Sequence, residues 1–243
     1  SFIVDKLIPD VYAIAATYED YFKIGDGYKN FMSYGLYNNY LHPIKMVSTG
    51  VMINGIREEF QSSNIAEDIS KTWVESDLQT IIPGEDNKIT YNPYKPEAYS
   101  WVNAPRYKGN PMEVGALARM TLSGDYSGGV STMDRIIAKS IEAKRLCEAI
   151  EVLIDLLKLK KAYQEQWEIP EESRVVGLIE AERGSLGHWL SIKNKLVHHY
   201  TLIPPSSWNL SPTDNRGIKG PVEEALIGTE IKDMVHPVEI GRI

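Results

Sequence analysis

Glu180-Ala-Glu-Arg-Gly184 concentrates two carboxylates and a guanidinium directly after the apolar run Val175-Val-Gly-Leu-Ile179 and ahead of Ser185-Leu-Gly-His188. Glycines at 184 and 187 permit close backbone approach, and an arginine fixed beside carboxylates can present its donors to a ligand. The same residues would equally make a salt-bridge network at a strand end. A second set is Pro204-Pro-Ser-Ser-Trp-Asn209, where two prolines stiffen the backbone ahead of two hydroxyls and an amide. A rigid turn closing a strand has the same composition. The third set is His188, His198 and His199, with His42 and His236 apart. None has the spacing of a helical metal pair, and adjacent histidines in a strand point to opposite faces, so metal binding by these rings is not expected. The single cysteine, Cys147, can form neither an internal disulfide nor a thiolate metal cage.

The elements that must hold these groups are partly legible. From Ser131 to about Lys161, Ile136, Ile137, Ile141, Cys147, Ile150, Leu153, Ile154 and Leu157 fall on one helical face, with charged residues opposite. Ser131 and Asp134 have the spacing of a capping box with Asp in the usual Glu position. Cys147, on the apolar face, is expected to be buried and inert. Segments 44–53, 175–179 and 188–203 read as short antiparallel strands, and Asn194-Lys195 as a two-residue hairpin turn. From Gln79 to Gly115, Pro83, Pro93, Pro96, Pro105 and Pro111 break regular structure, while Tyr91, Tyr94, Tyr99, Trp101 and Tyr107 offer burial area. That stretch is expected to pack as irregular, ordered chain on the helices. At the start, Val4, Leu7, Ile8, Val11, Ile14, Ala15, Tyr18 and Phe22 run at helical spacing with no cap ahead, and Pro9 marks a kink or a first turn. The other end breaks off without a polar tail. Both ends therefore read as cuts within a longer protein.

Composition excludes several roles. Lys+Arg 26 against Asp+Glu 33 gives a net charge of −7, and the basic residues form no dense run, so nucleic acid is not an expected partner. No window of eighteen apolar residues reads as a membrane span. With 243 residues and 43% hydrophobic content, the chain can bury a substantial core.

The run Tyr99-Ser-Trp-Val-Asn-Ala-Pro-Arg-Tyr-Lys-Gly-Asn-Pro-Met-Glu-Val-Gly-Ala-Leu-Ala-Arg119 resembles a signature of the large subunit of nickel-iron hydrogenases. Gly177-Leu-Ile-Glu-Ala-Glu-Arg-Gly-Ser-Leu-Gly-His-Trp189, Pro205-Ser-Ser-Trp-Asn-Leu-Ser-Pro212 and Gly220-Pro-Val-Glu-Glu-Ala-Leu-Ile-Gly228 follow in that family's order, and Leu7 to Tyr34 is similar to it as well. The resemblance covers essentially the whole chain. It implies reversible oxidation of dihydrogen at a nickel-iron centre carrying carbon monoxide and cyanide, with electrons passed to an iron-sulfur small subunit in a heterodimer. The family's four thiolate ligands come from two Cys-x-x-Cys motifs, and neither is present between Ser1 and Ile243. The chain alone is therefore expected to be inactive and to hold no cofactor.

Residue by residue, the resemblance implies that Arg183 is the guanidinium over the metals, suited to orientation and charge stabilisation because its pKa lies above 12. Ser206 matches the hydroxyl that donates to a cyanide ligand, and Pro204 and Pro205 match the apolar wall beside the iron. Leu202 matches a backbone carbonyl that ligates a magnesium or iron ion. Two positions depart from the pattern: Glu182 replaces the usual proline before the arginine, where a carboxylate could pair with Arg183 and alter proton handling, and Asn103 stands where many members are basic. The expected fold is α+β and predominantly helical, with long packed helices and a small antiparallel sheet near residues 175 to 205, all in one catalytic region incomplete at both ends. The alternative is a non-catalytic, cysteine-free relative serving as an assembly or quinone-contact subunit.

Overall fold

Pro9 shapes the first element of the computed structural model, which describes residues 2–36, 47–161 and 163–243. A π turn at Ile3–Leu7 runs into helix α1, Ile8–Thr17, with Pro9 in its first turn, where the missing N–H forfeits no bond. Val11 and Ala15 are buried against Met133 and Ile137, whereas Val4, Ile14, Tyr18 and Phe22 of the expected stripe face outward.

Strands β1 (Phe31–Ser33), β2 (Gly50–Ile53) and β3 (Ile56–Glu58) form an antiparallel sheet in that order. The strand expected over 44–53 is thus found from Gly50 onward; residues 44–46 and His42 lie outside the described residues. Next come β4 (Ile65–Asp68), β5 (Val74–Glu75), β6 (Thr80–Ile81), β7 (Thr90–Tyr91) and β8 (Ala104–Tyr107). Antiparallel β6 and β8 flank β4, and β5 pairs with β7. The proline-rich stretch is therefore ordered, but it builds on a strand rather than on helices. Tyr107 is fully buried there, while Tyr91, Tyr94, Tyr99 and Trp101 are exposed, contrary to the expected burial.

Helix α2 (Ala116–Ser123) packs on α3 (Thr132–Leu156), which spans 25 residues. The capping box is present: the Ser131 side chain accepts from the Asp134 amide, and the Asp134 carboxylate accepts from the Ser131 amide. The helix ends at Leu156, short of Lys161. Its first half is buried through Met133, Ile137, Ala138 and Ser140, whereas Ile150, Ile154 and Leu157 are exposed and Cys147 is half-buried. The periodic face is present, but in its second half only Ala149 is buried in a core, and the larger apolar side chains of Leu146, Ile150 and Ile154 stand exposed.

The largest sheet is β9 (Glu172–Ala181), β10 (Gly184–Lys193) and β11 (Leu196–Ile203), antiparallel in the order β11-β10-β9. Lys193 faces Leu196, leaving Asn194 and Lys195 as the two turn residues with φ of 53° and 60°. Two successive left-handed residues are what a type I′ hairpin needs. On one face Trp189 and Ile203 join Tyr107, Met112, Val114 and Trp208 in a core; on the other, Val175, Ile179, Tyr200 and Leu202 stand exposed. Short helices α4 (Pro205–Asn209) and α5 (Pro221–Leu226) each open with proline.

The α+β expectation holds, but "predominantly helical" does not: helix accounts for 30% and strand for 25%. The excess strand lies in pieces of two to four residues, too short for a period-2 pattern to register.

Candidate functional site

The β9–β10 register pairs Ala181 with Gly184, so Glu182 and Arg183 form a two-residue connection at the end of the hairpin. A buried arginine on α2 grips that connection. Arg119 donates from Nη1 to the Ala181 carbonyl at 3.1 Å and from Nη2 to the Glu182 carbonyl at 3.0 Å. It also pairs with Glu180 at 3.0 Å through Nη1, and with both oxygens of Glu142 on α3. Glu180 accepts in addition from the Tyr34 amide at 2.8 Å and from the Ser185 hydroxyl. Burial pushes the Glu180 carboxyl up, against the Ser185, Tyr34 and Arg119 donors. Burial works against the Arg119 charge, yet Glu142 and Glu180 outweigh it and hold the guanidinium above its ordinary value.

The opposite wall is the segment Glu113–Gly115. Gly184 has φ of 133°, and a Cβ there would lie 2.6 Å from Val114 Cγ2 and 2.7 Å from the Gly115 nitrogen. The hairpin end therefore closes onto this segment only because residue 184 is glycine. Asn209, ending α4, clips the same segment by accepting from the Val114 amide and donating to the Val114 carbonyl, each at 3.0 Å. Glu113 is held by Arg135 of α3 through two bonds of 2.8 and 2.9 Å.

Between these walls lies a cavity of about 640 Å³, bounded by the 113–117 segment, α3, the Glu182–Arg183 turn, α4, α5 and Ile243. Of the residues singled out in sequence, Glu182, Arg183, Ser206 and Asn209 line this space together. Pro205 is buried at the start of α4 with Pro204 as its cap, and Leu202 sits on β11 opposite His188; none of the three is among the lining residues. The two readings of 180–184 divide between its residues. Glu180 belongs to a buried ion-pair network, whereas Arg183 and Glu182 are 75% and 85% exposed, paired with each other at 3.3 Å.

Among the described residues the donors make no ligand set for a nickel-iron centre. Cys147 lies on α3 outside the cavity lining, and among the described residues no group of three or more His, Cys, Asp or Glu could hold a metal. His188 bonds the Tyr200 hydroxyl at 2.6 Å, His199 bonds Thr201 at 2.9 Å, and His198 lies 3.8 Å from Asp86. What the residues present do fit is one wall of a larger site, offering an exposed guanidinium paired with Glu182 and a hydroxyl.

Sequence reasoning missed the buried arginines that hold this wall. Arg106, on β8, donates to the Ser211 hydroxyl and to the Pro212 and Ile218 carbonyls at 2.9 to 3.1 Å, and pairs with Asp214. Burial pushes the Arg106 guanidinium down, while Asp214, with Arg216 and backbone donors against it, sits below its ordinary value despite burial. Glu67 of β4 was missed as well. Both Arg106 and Arg119 stand in the quoted 99–119 run, but no spacing rule links them to partners some 60 to 110 positions away.

The model of the nickel-dependent hydrogenase family matches residues 1–129 and 125–243. The periplasmic [NiFeSe] hydrogenase large subunit of Desulfomicrobium baculatum is 31% identical over 100% of this chain and 52% of its own length. The hydrogenase-1 large chain of Escherichia coli (strain K12) is 30% identical over 99% of this chain and 50% of its own length. Among solved structures, the [NiFeSe]-hydrogenase of D. baculatum superposes with a TM-score of 0.90 at 31% identity, covering 99% of this chain and 54% of that one. The as-isolated oxidised Ni-Fe-Se hydrogenase of D. vulgaris Hildenborough gives 0.91 at 30% identity, covering 99% and 55%. The chain thus spans about half the length of the relatives it matches. With the four quoted blocks at 99–119, 177–189, 205–212 and 220–228 meeting around one cavity and the family model matching along the whole length, this chain belongs to the nickel-dependent hydrogenase family.

Proposed function

We propose that this chain is the part of a nickel-iron hydrogenase large subunit that walls the reaction site for reversible oxidation of dihydrogen to protons and electrons. The observation that carries this reading is the convergence of Arg183, Glu182 and Ser206, 23 or more positions apart in part, on one cavity. When bound by thiolates from outside residues 1–243, a nickel-iron centre with its carbon monoxide and cyanide ligands supplies the redox and Lewis-acid chemistry. The residues of this chain orient and stabilise. Arg183 presents a permanent cation to charge that develops in the cavity. Ser206 offers a hydroxyl donor suited to a cyanide nitrogen, and Pro204 and Pro205 keep its surroundings poor in competing donors. Leu202 would contribute a carbonyl to a magnesium or iron ion. Electrons leave through an iron-sulfur small subunit.

The test is to read the coding sequence beyond both ends, then to assay nickel content and dihydrogen uptake of the complete subunit with its partner. Cys-x-x-Cys on both sides, nickel in the protein and turnover are the expected results. Flanks without cysteine pairs would overturn the reading in favour of a non-catalytic relative.

A further inference from the structure

Arg183 poses a mechanical problem. Its side chain is 75% exposed, and its contact with Glu182 at 3.3 Å joins two exposed groups. A pair of that kind contributes little and holds nothing in place. Whatever aims the Arg183 guanidinium must act on its backbone, which is one half of a two-residue turn.

We propose that Arg119 is a positioning residue for Arg183, fixing the turn by its carbonyls and influencing the reaction only through Arg183. This rests on the reading of Arg183 given above. The geometry favours a mechanical role over a direct one. Arg119 is 3% exposed and is not among the residues that line the cavity. A guanidinium has five N–H donors, and here the fork is committed to the Ala181 and Glu182 carbonyls, Glu180 and both Glu142 oxygens. Nothing is left over for a ligand. The two carbonyls belong to the two successive peptide groups that lead into Arg183, so gripping them sets where its Cα sits. Glu142 ties the same fork to α3, whose Arg135 and Lys139 line the cavity, so the turn is referenced to the wall it faces. A lysine ammonium cannot reproduce this, because it is a single point charge without a planar fork.

The experiment uses the full-length subunit with its native partner and compares wild type, Arg119→Lys, Arg183→Lys and the double variant. It reads kcat and KM for dihydrogen, amide hydrogen exchange over residues 180–184, and Tm. Displacing a positioned group by about 1 Å can cost about 100-fold, so Arg119→Lys should lower kcat about 10- to 100-fold. KM should stay within about twofold, and exchange in the turn should quicken. In the Arg183→Lys background Arg119→Lys should cause no further loss, since residues acting through one group are not additive. Wild-type kcat in Arg119→Lys, or losses that multiply in the double variant, would overturn the proposal. Should Arg119→Lys not fold, Glu142→Gln, which weakens the same fork, replaces it in the same cycle with the same expectations. If the wild-type complex turns over no dihydrogen, the functional reading fails on its own; unaltered exchange at 180–184 would then still overturn the clamp.

Discussion

Glu180 and Glu182 are two positions apart and have opposite lives. Glu180 is buried among Arg119, Ser185 and the Tyr34 amide, and losing it would remove one of the two carboxylates that neutralise the buried Arg119 cation. Glu182 contributes its carbonyl to the turn, while its carboxylate stands in solvent beside Arg183. Glu182→Pro keeps the carbonyl and removes the charge, so stability should change by less than about 1 kcal/mol. The pH–rate profile of the complete enzyme should shift, and an unchanged profile would remove Glu182 from proton handling. The sequence displayed the whole cluster but could not divide it, because burial depends on the distant Arg119 and Tyr34.

Glu67 is the second residue with a measurable signature. It is 5% exposed in the middle of β4, and burial raises its carboxyl from 4.5 to about 7, only partly opposed by a bond from Asn103. Since the folded value lies above the unfolded one, the folded state holds the proton more tightly between them. Stability should therefore fall as pH rises from about 4.5 to 7, by about 3 kcal/mol at most, and stay low above that. Glu67→Gln cannot ionise and should flatten this slope, gaining most at pH 8. Denaturant melts at pH 5 and pH 8 decide it; equal slopes in both proteins would refute the assignment.

At the scale of elements, the β9–β10 hairpin is aimed by a close approach rather than by its own turn. A Cβ at Gly184 would meet the Gly115 nitrogen at 2.7 Å, in backbone that cannot swing aside, and φ of 133° is strained for any other residue. Gly184→Ala should destabilise by about 3 kcal/mol or more. Gly124→Ala, also at positive φ but with nothing within 4 Å, should cost only about 1 kcal/mol. Equal shifts in denaturation midpoint would show that strain alone, and not the contact with Val114–Gly115, matters. Elements defined by neighbours in sequence were legible: the Ser131–Asp134 box and the Asn194-Lys195 turn are where the residue types put them. The β6-β4-β8 sheet was not, because its register joins Glu67 to Ile81 and Pro105 through strands with no periodic signal.

For the molecule as a whole, a net charge of −7 coexists with many exposed large apolar side chains. Leu146, Ile150 and Ile154 on α3 and Val175, Ile179, Tyr200 and Leu202 on the large sheet form two exposed apolar faces. Among the described residues no helix is long and apolar enough to cross a membrane; exposed faces of this kind are expected to act as contact surfaces. Residues 1–243 produced alone should bind a hydrophobic fluorescent dye and self-associate at micromolar concentration, as read by light scattering. A dye-silent monomer would count against contact faces.

The Arg106 clasp has a consequence in time. Its partners Ser211, Pro212 and Ile218 lie 105 to 112 positions along the chain, so closing it must repay the entropy of a very long loop. Until both ends arrive, the guanidinium stays hydrated and its future acceptors stay in water. This corner should therefore consolidate after the hairpins and α3, in the last steps of folding. The 211–220 loop, which leads to α5, would be among the first regions to open when the native state fluctuates, so the α5 side of the cavity matures later than the turn holding Arg183.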